Sequence, residues 1–330
     1  MEHRTLGSTG LPVSRLVLGT ATFGGQCDEQ TSHRILDHAV ELGITTIDTA
    51  DKYPLGSGFE KAGITEGIVG RWLREHRGEV IVATKVHGPT GPKPWDRGLS
   101  RRHLIEAVDA SLARLQVDAI DLYQLHRPDP STPLVETLET LDDLVRAGKV
   151  RYVGCSNFLA YQVAQALGKS EARRLVRFAS VQPRYNLLFR QPERELFPLC
   201  VEGGVGVLTY NLLAGGMLTG KHAAGRPPEQ GSRFDSTEAA SLYRERYWHD
   251  EAFDAVARLA QVASDLGISL PELATAWVVA QPAVTSVVVG ATRPEQLDPI
   301  EAGLNHRLEP DVLEQLDAIT RRFRWGDAMQ

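Results

Sequence analysis

The sequence predicts a (β/α)8 TIM barrel: an α/β fold with parallel strands, spanning residues 1–330 as a single domain, with extra loops at its C-terminal face. Three observations lead there. Eight short apolar runs alternate with stretches of helical spacing along the whole chain. Such strand–helix repeats imply parallel strands joined by right-handed crossovers, and eight of them close into a ring. The first run is followed by Gly19-Thr20-Ala21-Thr22-Phe23-Gly24-Gly25, which lacks the G-x-G-x-x-G turn expected of a doubly wound dinucleotide sheet.

The strand-like runs are 15–19, 45–49, 80–86, 119–126, 151–156, 180–185, 205–210 and 286–290. Most are rich in Val, Ile, Leu or Tyr, as strands buried on both faces should be. Helical spacing is clearest over 104–115, where Leu104, Ala107, Val108, Leu112 and Leu115 recur at steps of three and four. Ser100 precedes it as an N-cap. A helix over 133–147 starts at Pro133, with Thr132 as its cap, and stops at Gly148. Another, over 31–42, stops at Gly43. The rhythm breaks over 222–248, which reads as a long loop above the seventh strand, with no helix before Glu251. A second loop, 87–99, follows the third strand and is rich in Gly and Pro.

Composition narrows the function. Lys plus Arg number 36 and Asp plus Glu 42, a net charge of −6, so no global basic field gathers nucleic acid or anionic lipid. Cys27, Cys155 and Cys200 are odd in number and far apart, which argues against a disulfide framework or a zinc site. No apolar run approaches the ~20 residues of a spanning helix, and the N-terminus lacks a signal-peptide layout. The expectation is a cytoplasmic protein with no nucleic-acid or membrane partner. Barrel helices hide their outer contacts from a sequence reading, so the oligomeric state stays open.

In a barrel, chemistry sits at the C-terminal ends of the strands. The second run ends in Asp48, with Tyr53 shortly after; the third ends in Lys85 and the fourth in His126. A Lys closing a Val-Ile-Val-Ala-Thr run loses hydration, and an anion such as Asp48 would keep it charged. That ammonium would lower the pKa of a neighbouring phenol and make Tyr53 a proton donor near neutral pH. His126 is placed to hydrogen-bond a carbonyl oxygen or relay the proton. Lys85 as a Schiff-base nucleophile is the competing reading.

These residues resemble the aldo-keto reductase family, along nearly the whole chain from Leu6-Gly7-x-x-Gly10 to about Gln296. Asp48-Thr-Ala-x-x-Tyr53, Lys85 and Asp121-Leu-Tyr-Gln-Leu-His126 match the family's Asp, Tyr, Lys and His tetrad in order and spacing. The resemblance implies reversible carbonyl reduction by a nicotinamide cofactor, with Tyr53 as general acid assisted by Lys85, Asp48 and His126, and no metal. It also implies that Ser156, Asn157 and Gln182 contact the nicotinamide amide and that Tyr210 stacks on its ring. By the same resemblance Asn211, Leu213, Gly215 and Lys221 belong to the loop around the pyrophosphate. Arg233, Gly290, Thr292, Arg293 and Gln296 fall where the adenosine phosphate is clamped.

Two departures stand out. Asn211-Leu212-Leu213 replaces a common Ser-Pro-Leu, and Pro299 and Ile300 replace the Glu and Asn that hold the adenine in many relatives. NADPH is the favoured cofactor, because a 2′-phosphate suits Arg233 or Arg293, and NADH remains possible. Phe23, Trp95 and residues of 222–248 are expected to wall the pocket of a small-molecule carbonyl substrate. A cofactor-binding regulatory subunit without turnover and a Schiff-base lyase using Lys85 are the alternatives.

Overall fold

In a computed structural model, which describes residues 1–235 and 240–327, the chain opens with a small antiparallel hairpin, β1 (His3–Thr5) and β2 (Pro12–Ser14). Eight strands follow: β3 (Leu16–Gly19), β4 (Thr46–Asp48), β5 (Ile81–Val86), β6 (Ile120–Leu125), β7 (Val150–Ser156), β8 (Ser180–Gln182), β9 (Gly206–Tyr210) and β10 (Ser286–Gly290). They form a closed parallel barrel in which β10 pairs with both β9 and β3. Each lies inside the run read from sequence apart from one residue at the start of β7, and the longest trimming is at β8, which ends at Gln182 rather than Tyr185.

The helices are α1 (Glu29–Glu41), α2 (Ile64–His76), α3 (Arg101–Leu115), α4 (Leu134–Arg146), α5 (Ala160–Arg173), α6 (Leu196–Gly203), α7 (Ala240–Tyr247), α8 (Asp250–Asp265), α9 (Leu270–Val279), α10 (Asp298–Ala302) and α11 (Pro310–Thr320). The Ser100 hydroxyl caps α3 by accepting from the His103 N–H. Gly43 and Gly148 end α1 and α4 at φ values of +79° and +75°, which a residue without Cβ adopts at no steric cost.

Three expectations change. Helix α1 starts two residues before Thr31, because the Asp28 carboxylate accepts the Thr31 N–H at 2.8 Å. Thr132 does not cap α4; its hydroxyl donates instead to Asp129 at 2.8 Å. The stretch 222–248 is not a plain loop, since α7 lies within it. That segment is anchored by a cluster in which Phe234 sits 5.1 Å from His222 and 5.0 Å from Trp248, ring centre to ring centre.

Strand alternation divides the core in two. Val17, Ala83, Leu122, Leu208 and Val288 point into the barrel and pack with Leu6 and Val13 of the hairpin, which fill its N-terminal end. The next residues along, such as Leu16, Leu18, Val82, Tyr123 and Val153, point outward beneath the helices. Arg15 fastens the barrel seam: its guanidinium donates to the carbonyls of Val279, Val284 and Thr285 at 2.6–2.8 Å. Among the described residues, no single helix is long and apolar enough to cross a membrane.

Two helical glycines predict opposite responses to one substitution. A Cβ on Gly70 of α2 would lie 2.1 Å from the Arg114 carbonyl of α3, whereas a Cβ on Gly168 of α5 would meet nothing within 4 Å. Gly70→Ala should cost about 1–3 kcal/mol through overpacking. Gly168→Ala should add roughly 0.5–1 kcal/mol by restricting the unfolded chain. Urea midpoints that move in opposite directions are the expected result.

Candidate active site

The same alternation that places Val17, Ala83 and Leu122 inside the barrel brings Asp48, Lys85, Gln124 and Gln182 to one layer near its C-terminal rim. Lys85 pairs in register with Gln124, and Asp48 with Ala83. The Lys85 ammonium, 0% exposed, donates to Asp48 Oδ2 and to the Thr49 carbonyl at 3.0 Å. The other carboxylate oxygen, Oδ1, accepts from Gln124 Nε2 at 2.9 Å and from Gln182 Nε2 at 3.0 Å. A buried ion pair is tolerable when its remaining hydrogen-bonding capacity is filled in this way. Burial alone would lower the Lys85 pKa, but Asp48 and Tyr53 outweigh it and hold the ammonium above its ordinary value.

Tyr53 follows β4 and lies over this pair, with Lys85 Nζ 5.3 Å from its ring centre. The expected lowering of its pKa is corrected by the surroundings. Burial raises the phenol above its ordinary value, and Lys85, which pulls it down, does not win. Tyr53 is therefore a phenol that keeps its proton at neutral pH beside a fixed cation. The His126 ring meets the Tyr53 ring edge to face at 5.7 Å. Burial, then the nearby Lys85, Lys52 and Arg127 charges, push the His126 pKa well down, so its imidazole is neutral.

A cavity of about 800 Å³ runs from these residues across the rim. Its wall includes Asp48, Tyr53, His126, Ser156, Asn157, Gln182, Tyr210, Asn211, Leu213, Gly215, Lys221, Arg233, Gly290, Thr292 and Gln296. That volume is in the upper range of small-molecule and cofactor sites, ~300–1,000 Å³. Hydrogen bonds fix much of the wall. The Tyr210 hydroxyl donates to Asn157 Oδ1 at 2.8 Å, Asn157 Nδ2 donates to the His126 carbonyl at 2.9 Å, and the Ser156 hydroxyl donates to the Gln182 carbonyl at 2.8 Å. Asn211 accepts the Gly215 N–H and donates to the Tyr247 hydroxyl, so it pins the turn that follows β9. That turn needs glycine at 215: φ is +72°, and a Cβ would sit 2.4 Å from the Tyr243 ring.

Further along, Lys221 pairs with Glu229 at 2.8 Å, and Arg233 donates to the Tyr243 hydroxyl at 2.9 Å. Arg233 Nη2 lies 3.8 Å from where a Cβ on Gly290 would be, so the guanidinium approaches the end of β10. Gln296 Oε1 accepts from Thr292 N and Oγ1. Pro299 and Ile300 complete this end of the wall and offer it no side-chain donor or acceptor.

Three expected site residues lie elsewhere. Phe23 is 0% exposed and packs in the core outside the barrel strands, so it does not wall the pocket. Trp95 is 43% exposed and away from the cavity, with the Arg102 guanidinium 5.0 Å over its ring. Arg293 is exposed and does not line the cavity, leaving Arg233 as the arginine at that end. Gln124 was missed by sequence reasoning, although it shares its inward position with Leu122 and His126 of the same run. Arg246 of α7 lines the cavity from within 222–248, the stretch expected to help wall the pocket, whereas Arg127, which follows His126, was missed.

The cavity wall suits a dinucleotide: its glycine-bearing turn lets backbone approach closely, cations lie at one end, and a proton-bearing phenol lies at the other. Among the described residues, no three His, Cys, Asp or Glu side chains are placed to hold a metal ion. The sequence matches the Aldo/keto reductase family over residues 15–321. It is 37% identical over 328 residues to an uncharacterized oxidoreductase, YrpG, of Bacillus subtilis, covering 97% of this chain and 96% of the relative. It is 36% identical over 349 residues to Protein tas of Escherichia coli, covering 98% and 99%. A probable voltage-gated potassium channel subunit beta of Arabidopsis thaliana is 35% identical over 326 residues, covering 97% and 96%. The chain belongs to the aldo/keto reductase family, as an NAD(P)H-dependent oxidoreductase on a closed (β/α)8 barrel.

Proposed function

We propose that the chain reduces an aldehyde or ketone with NADPH, with Tyr53 as the proton donor. The observation that carries this reading is the buried Lys85–Asp48 pair beside a protonated Tyr53 and a neutral His126, with Asp48, Tyr53 and His126 on the wall of one large cavity. When bound, a reduced nicotinamide supplies the hydride that adds to the carbonyl carbon. Tyr53 gives its hydroxyl proton to the carbonyl oxygen as charge develops there. Lys85 stabilises the phenolate left behind, and Asp48 keeps Lys85 charged and aimed. His126, neutral, offers an N–H that holds the carbonyl oxygen in place.

Ser156, Asn157 and Gln182 are the candidates to hold the nicotinamide amide, with the Tyr210 ring as its stacking platform. Asn211, Leu213, Gly215 and Lys221 form the turn along the pyrophosphate, and Gly290, Thr292 and Gln296 border the adenosine end. Arg233 supports NADPH over NADH, since its fork suits a 2′-phosphate. A Schiff-base role fits Lys85 poorly, because an ion-paired ammonium with a raised pKa is a weak nucleophile. The relatives named as channel subunits favour one second reading, a cofactor-loaded partner subunit; steady turnover across a carbonyl panel counts against it.

Tyr53→Phe should lower kcat for carbonyl reduction by about 10²–10⁴-fold while cofactor affinity, followed by intrinsic fluorescence, stays close to wild type. Reduction at the wild-type rate would remove Tyr53 from the proton-donor role. Because Tyr53 titrates above its ordinary value and His126 far below its own, kcat should be level from roughly pH 6 to 8 and fall only as pH rises through the phenol's pKa. Lys85→Met should lower neutral-pH activity and move that alkaline limb upward, and an unchanged pH–rate profile would contradict the role of the cation. Arg233→Ala should weaken NADPH binding about tenfold and NADH binding far less; equal losses would show that Arg233 does not read the 2′-phosphate.

A further inference from the structure

The charges around the catalytic end of the cavity are one-sided. The only carboxylate on the cavity wall among the described residues is Asp48, and its oxygens are spent on Lys85, Gln124 and Gln182. Arginines are plentiful by contrast. Arg127 directly follows His126 in the chain, and Arg246 projects from α7; both line the cavity. They flank the Tyr210–Asn157–His126 chain of hydrogen bonds from opposite sides in sequence: Asn157 Nδ2 holds the carbonyl of the residue before Arg127, and the field of Arg246 reaches the Tyr210 hydroxyl.

The positive character continues outward from there. A second cavity of about 360 Å³ shares Asn157, Tyr210 and Arg246 with the first, and adds Arg194 beside Glu195, together with Arg184, whose charge is met by Asp327. Behind Arg127, burial lowers the Lys52 pKa and Arg127 lowers it further. Asp129, two residues beyond Arg127, keeps its negative charge, with its pKa down at about 2, but it is held by neutral hydrogen-bond donors and makes no ion pair with Arg127. One of its oxygens accepts from Ser131, and the other from the Leu99 N–H and the Thr132 hydroxyl. Lys221 and Arg233 already have partners at the far end of the cavity. Among the described residues that line the main cavity, Arg127 and Arg246 are thus the cations left to meet a substrate.

We propose that the preferred substrate is an anionic carbonyl compound, an aldehyde or ketone carrying a carboxylate, whose charged end lies between Arg127 and Arg246 while its carbonyl meets Tyr53 and His126. This inference rests on the carbonyl-reductase reading. Guanidinium groups bind carboxylates through paired N–H donors, and a cationic mouth speeds the approach of anions. A positioning role of this kind acts chiefly on KM, since the distant charge is held equally in the ground and transition states.

The test compares 4-carboxybenzaldehyde with its methyl ester, which is similar in shape, uncharged and intrinsically the more electrophilic aldehyde. Steady-state rates with NADPH should give the carboxylate a kcat/KM about tenfold or more above the ester at low salt, carried by KM and eroded as salt screens the charge. Arg127→Ala and Arg246→Ala should each collapse the carboxylate-to-ester ratio toward one. Calorimetry gives a second readout: with oxidised cofactor present, wild-type protein should bind the product, 4-(hydroxymethyl)benzoate, more tightly than either variant does. Reduction of the ester with no advantage for the carboxylate overturns the inference and leaves the carbonyl-reductase reading in place. A ratio untouched by both substitutions overturns it too. Reduction of neither aldehyde overturns both.

Discussion

An ammonium sealed inside a barrel must be paid for by its neighbours, and that requirement organises the catalytic end of this molecule. Lys85 has no access to water, so its charge survives only because Asp48 faces it and the Thr49 carbonyl accepts a second hydrogen bond from it. Asp48 in turn would be a costly buried carboxylate without Gln124 and Gln182 on its second oxygen. Four strands (β4, β5, β6 and β8) each contribute one side chain to this network, and closure of the sheet is what brings them together. Removing Lys85 or Asp48 leaves the other charge buried and unpaired, at a cost of about 3–5 kcal/mol. The pair is therefore a structural demand as well as a chemical resource.

Tyr53 profits from this fixed charge without being ionised by it. Burial and the ammonium pull its acidity in opposite directions, and burial prevails. A phenol in that balance retains its proton at neutral pH, and in the proposed reaction the cation stabilises the phenolate left once that proton passes to the carbonyl oxygen. Neutral His126 beside it can orient an oxygen without competing as an acid. The phenol, the cation and the neutral imidazole are set apart by environment, and each is supplied by a different strand end or the turn after it.

Much of this was legible in the sequence because a barrel strand has two strong regularities: an apolar run and a side-chain period of two. The runs located all eight barrel strands, and ionisable residues closing three consecutive runs pointed to Asp48, Lys85 and His126. What escaped depended on tertiary context. The hairpin of β1 and β2 is too short and too exposed to announce itself, although Leu6 and Val13 fill the bottom of the barrel. Gln124 carries no charge, and only its parity with His126 marks it. Helix α7 lacks a clear apolar stripe, since its buried Tyr243 and Tyr247 are amphipathic and charges lie between them. Phe23 was misplaced because an aromatic residue after a strand end serves packing as readily as a pocket, and here it turns outward to the core beneath the helices. The direction of the Tyr53 shift was missed because desolvation is invisible in a linear reading.

The influence of Lys85 on Tyr53 is the interaction on which the proposed chemistry rests, and it can be measured without turnover. The chain has 8 Tyr residues, so NMR of ring-labelled tyrosine can follow each phenol through an alkaline titration, with the Tyr53 signal assigned by its loss in Tyr53→Phe. In Lys85→Met the Tyr53 signal should titrate at higher pH than in the wild-type protein, because burial then acts unopposed. An identical titration midpoint in the two proteins would mean that the buried ammonium does not govern the phenol.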